Sequence, residues 1–342
     1  MVDASQQDEG PDREPTRFGI MGTGRITRRL VADLQSTPGV QVTAIASRTA
    51  DRAKWYADQY GIGHAIEGYD ALMNRDDVDA VYNSLPPSLH LEWSCRTAQA
   101  GKHLLCEKPL VCTPAEFKTL DDEFRAAKRR WLDATGWLHH PRTQAFAGWI
   151  QDGRLGKLGH LSAAVSFYEP FQSGEHRLRA DLGGGCLLDL GWYCAGFACF
   201  VMGKRPSRVF ADTSDRDGVP IRMTAMLWFE GGVTATLSCG YDTATRKWLE
   251  VAGSDASLVC DDFTRPWPDK PARCWIHEAS GQVQQHAFEG HQERSMIEKL
   301  VGDSDLATLH KQAEQTQVLV DALSRSAVSR SVIDVPVEDT TR

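Results

Sequence analysis

The sequence predicts an α/β protein of two domains: an N-terminal domain with a doubly wound parallel sheet, and a C-terminal α+β domain with a large, open, mainly antiparallel sheet. The chain has 342 residues, 42% of them hydrophobic, which suffices for about two domains with full cores. In its first part, short apolar runs alternate with segments of helical periodicity, as in βαβ units. Further along, apolar and polar residues alternate singly, as in half-buried antiparallel strands.

The N-terminal domain contains five apolar runs separated by amphipathic segments. We predict strands at residues 18–21, 40–46, 80–85, 103–106 and 131–134. We predict helices at residues 26–34, 51–60, 89–100 and 114–127, with Pro114 in the favoured first turn. In such a sheet, ligands bind at the carboxyl ends of the strands.

The spacing of the apolar residues changes after about residue 137. Alternating apolar residues predict strands around residues 161–167 and 221–229, and helices are expected at about 187–202 and 306–324. We therefore divide the chain into a disordered acidic leader at 1–16, a first domain at 17–137 and a second domain at 138–336.

Composition restricts the partners of this protein. A formal net charge of -8 disfavours a sequence-independent grip on nucleic acid or anionic lipid. No apolar run approaches the length needed to span a membrane. Nine cysteines without metal-type spacing indicate free thiols in a reducing compartment. We expect a cytoplasmic protein that binds a small molecule, without contacts to nucleic acid or membrane.

A glycine motif follows the first predicted strand. Gly22 and Gly24 stand between this strand and the first helix, where a dinucleotide pyrophosphate is held by backbone N–H groups. The dinucleotide-binding motif has a third glycine, and Thr27 occupies its place in this sequence. The motif alone therefore also fits an ordinary glycine turn. As cofactor contacts we predict Gly22, Thr23, Gly24, Arg25 and Ile26.

In dinucleotide-binding folds, a carboxylate at the end of the second strand contacts the ribose of the adenosine. In this sequence Ser47 and Arg48 stand at that place. A carboxylate would accept bonds from the 2'-hydroxyl and repel a 2'-phosphate, whereas Ser47 can donate and Arg48 can pair with phosphate. NADP is therefore favoured, and NAD stays possible. The alternative is that Arg48 is a solvated loop arginine.

Two segments further along resemble a known family. Residues 85–90 and the run from Gly101 through Glu107-Lys108-Pro109 are similar to the Gfo/Idh/MocA oxidoreductases, named after glucose-fructose oxidoreductase, inositol dehydrogenase and rhizopine catabolism. The resemblance extends from residue 18 to about 336. It implies a Rossmann domain, with cofactor contacts also from Leu85, Pro86, His90, Glu107 and Lys108.

A second match covers residues 177–193, where Asp189 and Tyr193 stand four positions apart. This spacing places both on one helix face. Many members of the family carry His where this chain has Tyr193. Those with Tyr include glucose-fructose oxidoreductase, dimeric dihydrodiol dehydrogenase and sugar ketoreductases. The alternative is a buried structural tyrosine that hydrogen-bonds to Asp189.

The resemblance implies catalytic roles for three residues. We assign Tyr193 as the acid/base, Lys108 as the group that lowers its pKa and stabilises the substrate oxyanion, and Asp189 as the residue that orients Lys108. Lys108 as proton relay stays open. Substrate contacts are expected from Asp189, Tyr193 and Arg177, and from His140, since neighbours on an extended chain face opposite ways. His140 could equally be a packing residue. No metal site is expected.

The expected function is NADP-dependent hydride transfer between the nicotinamide and a hydroxyl or carbonyl carbon of a sugar or related cyclic polyol. Two alternatives stay open: a ketoreductase of a nucleotide-linked sugar, and a non-catalytic NAD(P)-binding regulatory protein. The resemblance and the exposed face expected of the second sheet imply a homodimer or homotetramer formed through that sheet.

Overall fold

The computed structural model describes residues 14–172, 174–267 and 270–336. The leader predicted at residues 1–16 lies outside these ranges except for its end. Within them the chain forms two sheets, one parallel and one mainly antiparallel, and this confirms the predicted fold class.

The first sheet is parallel, and its strand order in the described residues is β3-β2-β1-β4-β5-β6. Its strands are β1 (Thr16–Met21), β2 (Val40–Ser47), β3 (His64–Glu67), β4 (Ala80–Asn83), β5 (His103–Cys106) and β6 (Trp131–Asp133). Its helices are α1 (Thr27–Ser36), α2 (Ala50–Tyr60), α3 (Asp70–Met73), α4 (His90–Gln99) and α5 (Pro114–Ala127). The order reverses between β1 and β4, which opens a crevice for a ligand at the carboxyl ends of these strands.

The second sheet has the order β14-β13-β12-β11-β7-β10-β9-β8-β15 in the described residues, and β7 and β10 form its parallel pair. Its strands are β7 (Leu158–Tyr168), β8 (Arg208–Arg216), β9 (Val219–Trp228), β10 (Thr234–Gly240), β11 (Asp242–Gly253), β12 (Ala256–Cys260), β13 (Ala272–Glu278), β14 (Val283–Phe288) and β15 (Ile333–Asp334). The helices of this part are α6 (Pro141–Gln151), α7 (Trp192–Met202), α8 (Gln292–Val301) and α9 (Ala307–Ser329).

One face of the second sheet packs against α7 and α9 and forms the main hydrophobic core. A π-helical turn, Leu187–Gly191, leads directly into α7. By length and composition, the helical stretch Ala180–Met202 could cross a membrane, but 72% of its most apolar window is buried inside the fold. Such burial is typical of a core helix.

Helix α8 joins the two parts of the molecule. Its residues Met296, Ile297 and Leu300 are buried in the same cluster as Leu30 and Leu34 of α1. The predicted boundary at residue 137 lies between the two sheets, whereas α8 comes from the second part of the chain and packs against the first. The parallel sheet and the start of α8 therefore form two sides of one cleft.

Candidate active site

A cavity of about 1290 Å³ lies between the carboxyl ends of the parallel sheet and the second sheet. The glycine loop and the end of β2 form one end of it, and residues of β7, α7 and α8 form the other. Most residues predicted as cofactor contacts lie in its wall: Gly22, Thr23, Gly24, Arg25, Ile26, Ser47, Arg48, Leu85, Pro86, Glu107 and Lys108.

The glycine loop has the geometry that a bound pyrophosphate requires. Gly22 has a φ of +102°, and a Cβ there would come within 2.7 Å of Ser84 Oγ. At Gly24 a Cβ would meet no atom within 4 Å, so the backbone borders open space at the start of α1. Thr27, in place of the third glycine, bonds through Oγ1 with Ser84 Oγ at 2.9 Å. The loop thus leaves its N–H groups accessible to phosphate oxygens.

Two residues that the motif did not indicate hold this loop in place. Arg52 donates to Thr23 Oγ1 and to the Thr23 carbonyl oxygen, both at 2.8 Å. The hydroxyl of Tyr56 donates to the carbonyls of Thr23 and Gly24 at 2.9 and 3.1 Å. Both lie on α2, where helical periodicity gives no signal of such a role.

The ribose end of the cavity is formed by Ser47, Arg48 and Tyr69. Ser47 is buried and shares a hydrogen bond with Thr23 Oγ1. Arg48 is exposed and makes no hydrogen bond or ion pair with any described residue. An uncompensated arginine at this point fits a 2'-phosphate, so these residues fit NADP.

His90 does not lie in the cavity wall, although it was predicted as a cofactor contact. It is buried, and its ring nitrogens lie 2.8 and 2.7 Å from the carbonyl oxygens of Pro109 and Leu85. The correction has a simple reason: the ring is occupied in bracing the two cavity-lining segments that follow β4 and β5.

Lys108 and Asp189 meet across the cleft. The ammonium nitrogen of Lys108 lies 2.6 Å from Asp189 Oδ1 and 2.7 Å from the Asp189 carbonyl oxygen. Burial alone would lower the pKa of Lys108, but the Asp189 carboxylate and the Tyr193 side chain outweigh it and raise this pKa. Lys108 is therefore held as a cation.

The carboxylate of Asp189 accepts two further bonds. Its Oδ2 accepts from Arg177 Nε at 2.7 Å and from the Tyr241 hydroxyl at 3.0 Å. Burial raises the pKa of Asp189, yet the positive charges of Lys108 and Arg177 prevail and hold it well below its usual range. Arg177, predicted as a substrate contact, thus donates its Nε–H to Asp189. Tyr241 is a site residue that the sequence motifs did not indicate.

Tyr193 lies in the same wall, with the Lys108 nitrogen 4.9 Å from the centre of its ring. The pKa of Tyr193 is raised, chiefly because burial disfavours the phenolate; Lys108 lowers it by a smaller amount. This corrects the expectation that Lys108 brings the pKa of this tyrosine below its ordinary value. The phenol is neutral at physiological pH and can donate a proton.

The paired histidines lie outside the cavity wall. Residues 136–139 form a 3-10 turn and not an extended chain, so the argument from alternation fails. His140 is buried, and its Nδ1 accepts from the backbone N–H of Arg142 at the start of α6. Burial lowers its pKa to about 4. The role of substrate contact predicted for His140 is thus replaced by packing, the alternative left open by the sequence.

Charge differs between the two halves of the cavity. In the half near Tyr193, each lining cation has a carboxylate partner. The pairs are Lys108 with Asp189, Arg177 with Glu175 and Asp189, and Arg265 with Glu293. In the half near the glycine loop, Arg25 lies 3.8 Å from a carboxylate oxygen of Glu175, whereas Arg48 and Arg52 have no carboxylate partner among the described residues. The first half suits an uncharged ligand and the second half a polyanion.

Two family models match this chain. Residues 16–132 match the oxidoreductase family with an NAD-binding Rossmann fold, GFO_IDH_MocA. Residues 143–259 match the GFO/IDH/MocA C-terminal domain. Together the two models cover the parallel sheet and much of the second sheet.

Individual relatives agree with these models. A dTDP-3,4-didehydro-2,6-dideoxy-alpha-D-glucose 3-reductase from Actinomadura kijaniata is 37% identical over 81% of this chain and 83% of its own. A D-xylose 1-dehydrogenase (NADP(+)) from Haloferax volcanii is 35% identical over 80% of this chain and 83% of its own. The crystal structure of the 3-ketoreductase KijD10 from Actinomadura kijaniata with NADP and TDP-benzene superimposes with a TM-score of 0.85. It is 31% identical, over 92% of this chain and 98% of that chain.

Proposed function

The chain belongs to the Gfo/Idh/MocA family of oxidoreductases, and from this premise we propose that it transfers a hydride between NADP and a hydroxyl or carbonyl carbon of an uncharged sugar or cyclic polyol. The observation that carries the proposal is the meeting of Lys108, Asp189 and Tyr193 at one point of the cleft. Bound NADP supplies a nicotinamide carbon that accepts or donates the hydride.

The three residues provide the proton chemistry that such a reaction needs. A carbinol that loses a hydride must also lose its hydroxyl proton to a positioned base. We assign this proton to the phenol oxygen of Tyr193. The ammonium of Lys108 stabilises the negative charge on the substrate oxygen, and Asp189 keeps Lys108 oriented.

The charge pattern supports an uncharged substrate. Lining cations near Tyr193 are each paired with a carboxylate, so this half of the cavity offers a diphosphate little net positive charge. The hydroxyls of a free sugar need only hydrogen bonds. NADP is favoured over NAD because Ser47 and Arg48 replace a carboxylate, and the relative from Haloferax volcanii is likewise named as an NADP(+) enzyme.

A second candidate is the reduction of a keto group on a nucleotide-linked sugar. It is favoured by the relative from Actinomadura kijaniata, whose name specifies a dTDP-linked keto sugar. The third possibility raised by the sequence, a non-catalytic regulatory protein, is not retained. A regulatory protein would have no use for proton-transfer groups, and relatives of this chain are named as reductases and dehydrogenases.

The test is turnover of the purified protein, followed through NADPH absorbance. The panel contains aldoses, cyclic polyols, keto sugars and nucleotide-linked keto sugars. We expect turnover of at least one uncharged sugar or polyol. Turnover confined to nucleotide-linked sugars would establish the second candidate instead, and a protein that binds NADPH but turns over nothing in the panel would contradict both.

We further propose that the protein forms a homo-oligomer in a reducing, cytoplasmic environment. The face of the second sheet turned away from α7 and α9 carries large apolar side chains, among them Phe210, Met226 and Trp248. Phe210 and Met226 are paired neighbours on β8 and β9, so they form a continuous patch that a second copy can cover. All nine cysteines are free, as suits a reducing compartment. Light scattering tests the assembly, and Met226→Glu should dissociate it.

A further inference from the structure

One buried acceptor in the cavity wall lacks a donor. Gln292, at the start of α8, is 4% exposed and lines the cavity. Its Nε2 donates to Glu293 Oε1 at 3.0 Å and to the Thr264 carbonyl oxygen at 3.4 Å. Both partners are acceptors, which fixes the orientation of the amide. Oε1 therefore faces no donor among the described residues.

Arg265 lies beside this acceptor and has guanidinium N–H groups that are not used in hydrogen bonds with the described residues. Its Nε pairs with Glu293 Oε1 at 3.1 Å, the same oxygen that accepts from Gln292. Its other guanidinium N–H groups make no hydrogen bond with any described residue. Arg265 also lines the cavity, and its positive charge acts on Tyr193 and Glu107, where it offsets part of the rise in pKa that burial causes.

We propose that Gln292 and Arg265 form a subsite for the sugar hydroxyls that do not react. The inference rests on the proposed function and adds to it the residues that select the substrate. A hydroxyl both donates and accepts. With a small shift of the Gln292 side chain, whose Oε1 is closed to solvent here, one hydroxyl can donate to this oxygen while a neighbouring one accepts from the free N–H groups of Arg265.

Charge favours hydroxyls over phosphate at this subsite. Glu293 neutralises Arg265, and Glu107 lies in the same wall. A phosphate would approach these carboxylates as well as the arginine, whereas an uncharged hydroxyl meets no repulsion. The subsite is accordingly assigned to an uncharged polyol group.

The nicotinamide carboxamide of the cofactor is the competing occupant, because it too combines a donor with an acceptor. The two assignments differ in what they predict. A sugar subsite affects the KM for sugar and leaves the Kd for NADPH unchanged. A cofactor subsite weakens NADPH binding.

Gln292→Leu tests the assignment, because it removes both amide atoms at similar volume. With the sugar that the panel identifies as best, we expect KM to rise about tenfold, kcat to change by less than about threefold, and the Kd for NADPH to stay within about twofold. The control is Glu298→Gln, on the exposed side of α8 and outside the cavity wall. It should leave all three constants near those of the parent protein.

Calorimetric titration of each uncharged sugar and polyol of the panel into the NADP complex of the Tyr193→Phe variant, with and without Gln292→Leu, gives a readout that needs no turnover. Weaker sugar binding in the Gln292→Leu protein supports the subsite. Equal sugar affinities in the two proteins, a changed Kd for NADPH, or the same loss with Glu298→Gln would each overturn it. Absence of turnover in the parent protein contradicts the proposed function, whereas the titration judges the subsite separately.

Discussion

The ammonium of Lys108 and the carboxylate of Asp189 lie 2.6 Å apart, although 81 positions separate the two residues in the chain. Lys108 follows β5 of the parallel sheet, and Asp189 lies in the π-helical turn before α7 of the other part. The pair therefore forms only when both parts of the molecule are assembled. Asp189 is also saturated by Arg177 and Tyr241, so the position of Lys108 is fixed from the far side of the cleft.

We expect Tyr193 and Lys108 to act as one proton-transfer unit. Tyr193→Phe and Lys108→Ala should each lower kcat by about 100-fold or more, because each removes a group that meets the reacting oxygen. The double variant should be little worse than the poorer single variant, since residues that act together are not additive. Steady-state kinetics checks this. Near-parental turnover of Tyr193→Phe beside an inactive Lys108→Ala would assign the acid/base role to the lysine.

Arg48 should determine the choice between the two dinucleotides. The parent protein should bind NADP(H) at least about tenfold more tightly than NAD(H), a difference of about 1.4 kcal/mol. Arg48→Ala should weaken NADP(H) and leave NAD(H) nearly unchanged. Arg52→Ala is the matched contrast, because Arg52 holds the glycine loop through Thr23 and should weaken both dinucleotides alike. Fluorescence titration measures the four affinities; equal losses of both dinucleotides with Arg48→Ala would disprove the role of Arg48.

The raised pKa of Tyr193 predicts opposite pH profiles in the two directions of the reaction. Burial holds this pKa above its ordinary value of 10.0, so the phenol is protonated through the neutral range. Oxidation needs the deprotonated oxygen, and kcat/KM for oxidation should rise with pH into the alkaline range. Reduction needs the proton and should show no such rise. Lys108→Met removes a charge that lowers this pKa, so the oxidative limb should move to higher pH. A limb that moves to lower pH would refute the assignment.

Asp133 should destabilise the folded protein at neutral pH. It is buried at the end of β6, and burial raises its pKa from 3.8 to about 6. The folded state thus holds a proton more tightly than the unfolded state, and stability falls as pH rises from about 4 to about 6 and stays lower above. A shift of about two pH units corresponds to at most about 3 kcal/mol.

Asp133→Asn removes this buried charge and should raise the free energy of unfolding at pH 8 by about 1–2 kcal/mol, with a smaller gain at pH 4. Urea denaturation at both pH values measures it. The exposed Asp58→Asn is the control and should change neither value by more than about 0.5 kcal/mol. A gain that is larger at pH 4 than at pH 8 would be incompatible with the raised pKa.

Local sequence signals accounted for much of the fold. The predicted limits of β5 and α5 agree with the structure, because a buried apolar run and a first-turn proline are both local features. Strand β3 was missed because three of its four side chains are exposed, so it has no apolar run. Helices α6 and α8 were missed as well. The contacts that stabilise α8 come from α1, far away in the chain.

The site residues also fall into those that local motifs predict and those that only the folded chain brings together. Gly22, Lys108, Asp189 and Tyr193 stand in compact motifs, and the structure places all four in the cavity wall. Tyr241, Arg265 and Gln292 reach the wall from the turn between β10 and β11, the loop after β12 and the start of α8. Their neighbours in sequence give no sign of a common site. The error over His140 arose from assuming an extended chain where the backbone forms a turn.

The π-helical turn before α7 has a consequence for engineering. A π turn holds one residue more than the regular helix into which it leads, and a single deletion within Leu187–Gly191 would restore regular α-helical bonding. That deletion would also rotate the preceding turn by about 100° relative to α7 and carry Asp189 away from Lys108. The helix would gain regularity at the expense of the Lys108–Asp189 pair. Because Asp189 also accepts bonds from Arg177 and Tyr241, the deletion would break a buried network, and both the melting temperature and the proposed activity should fall.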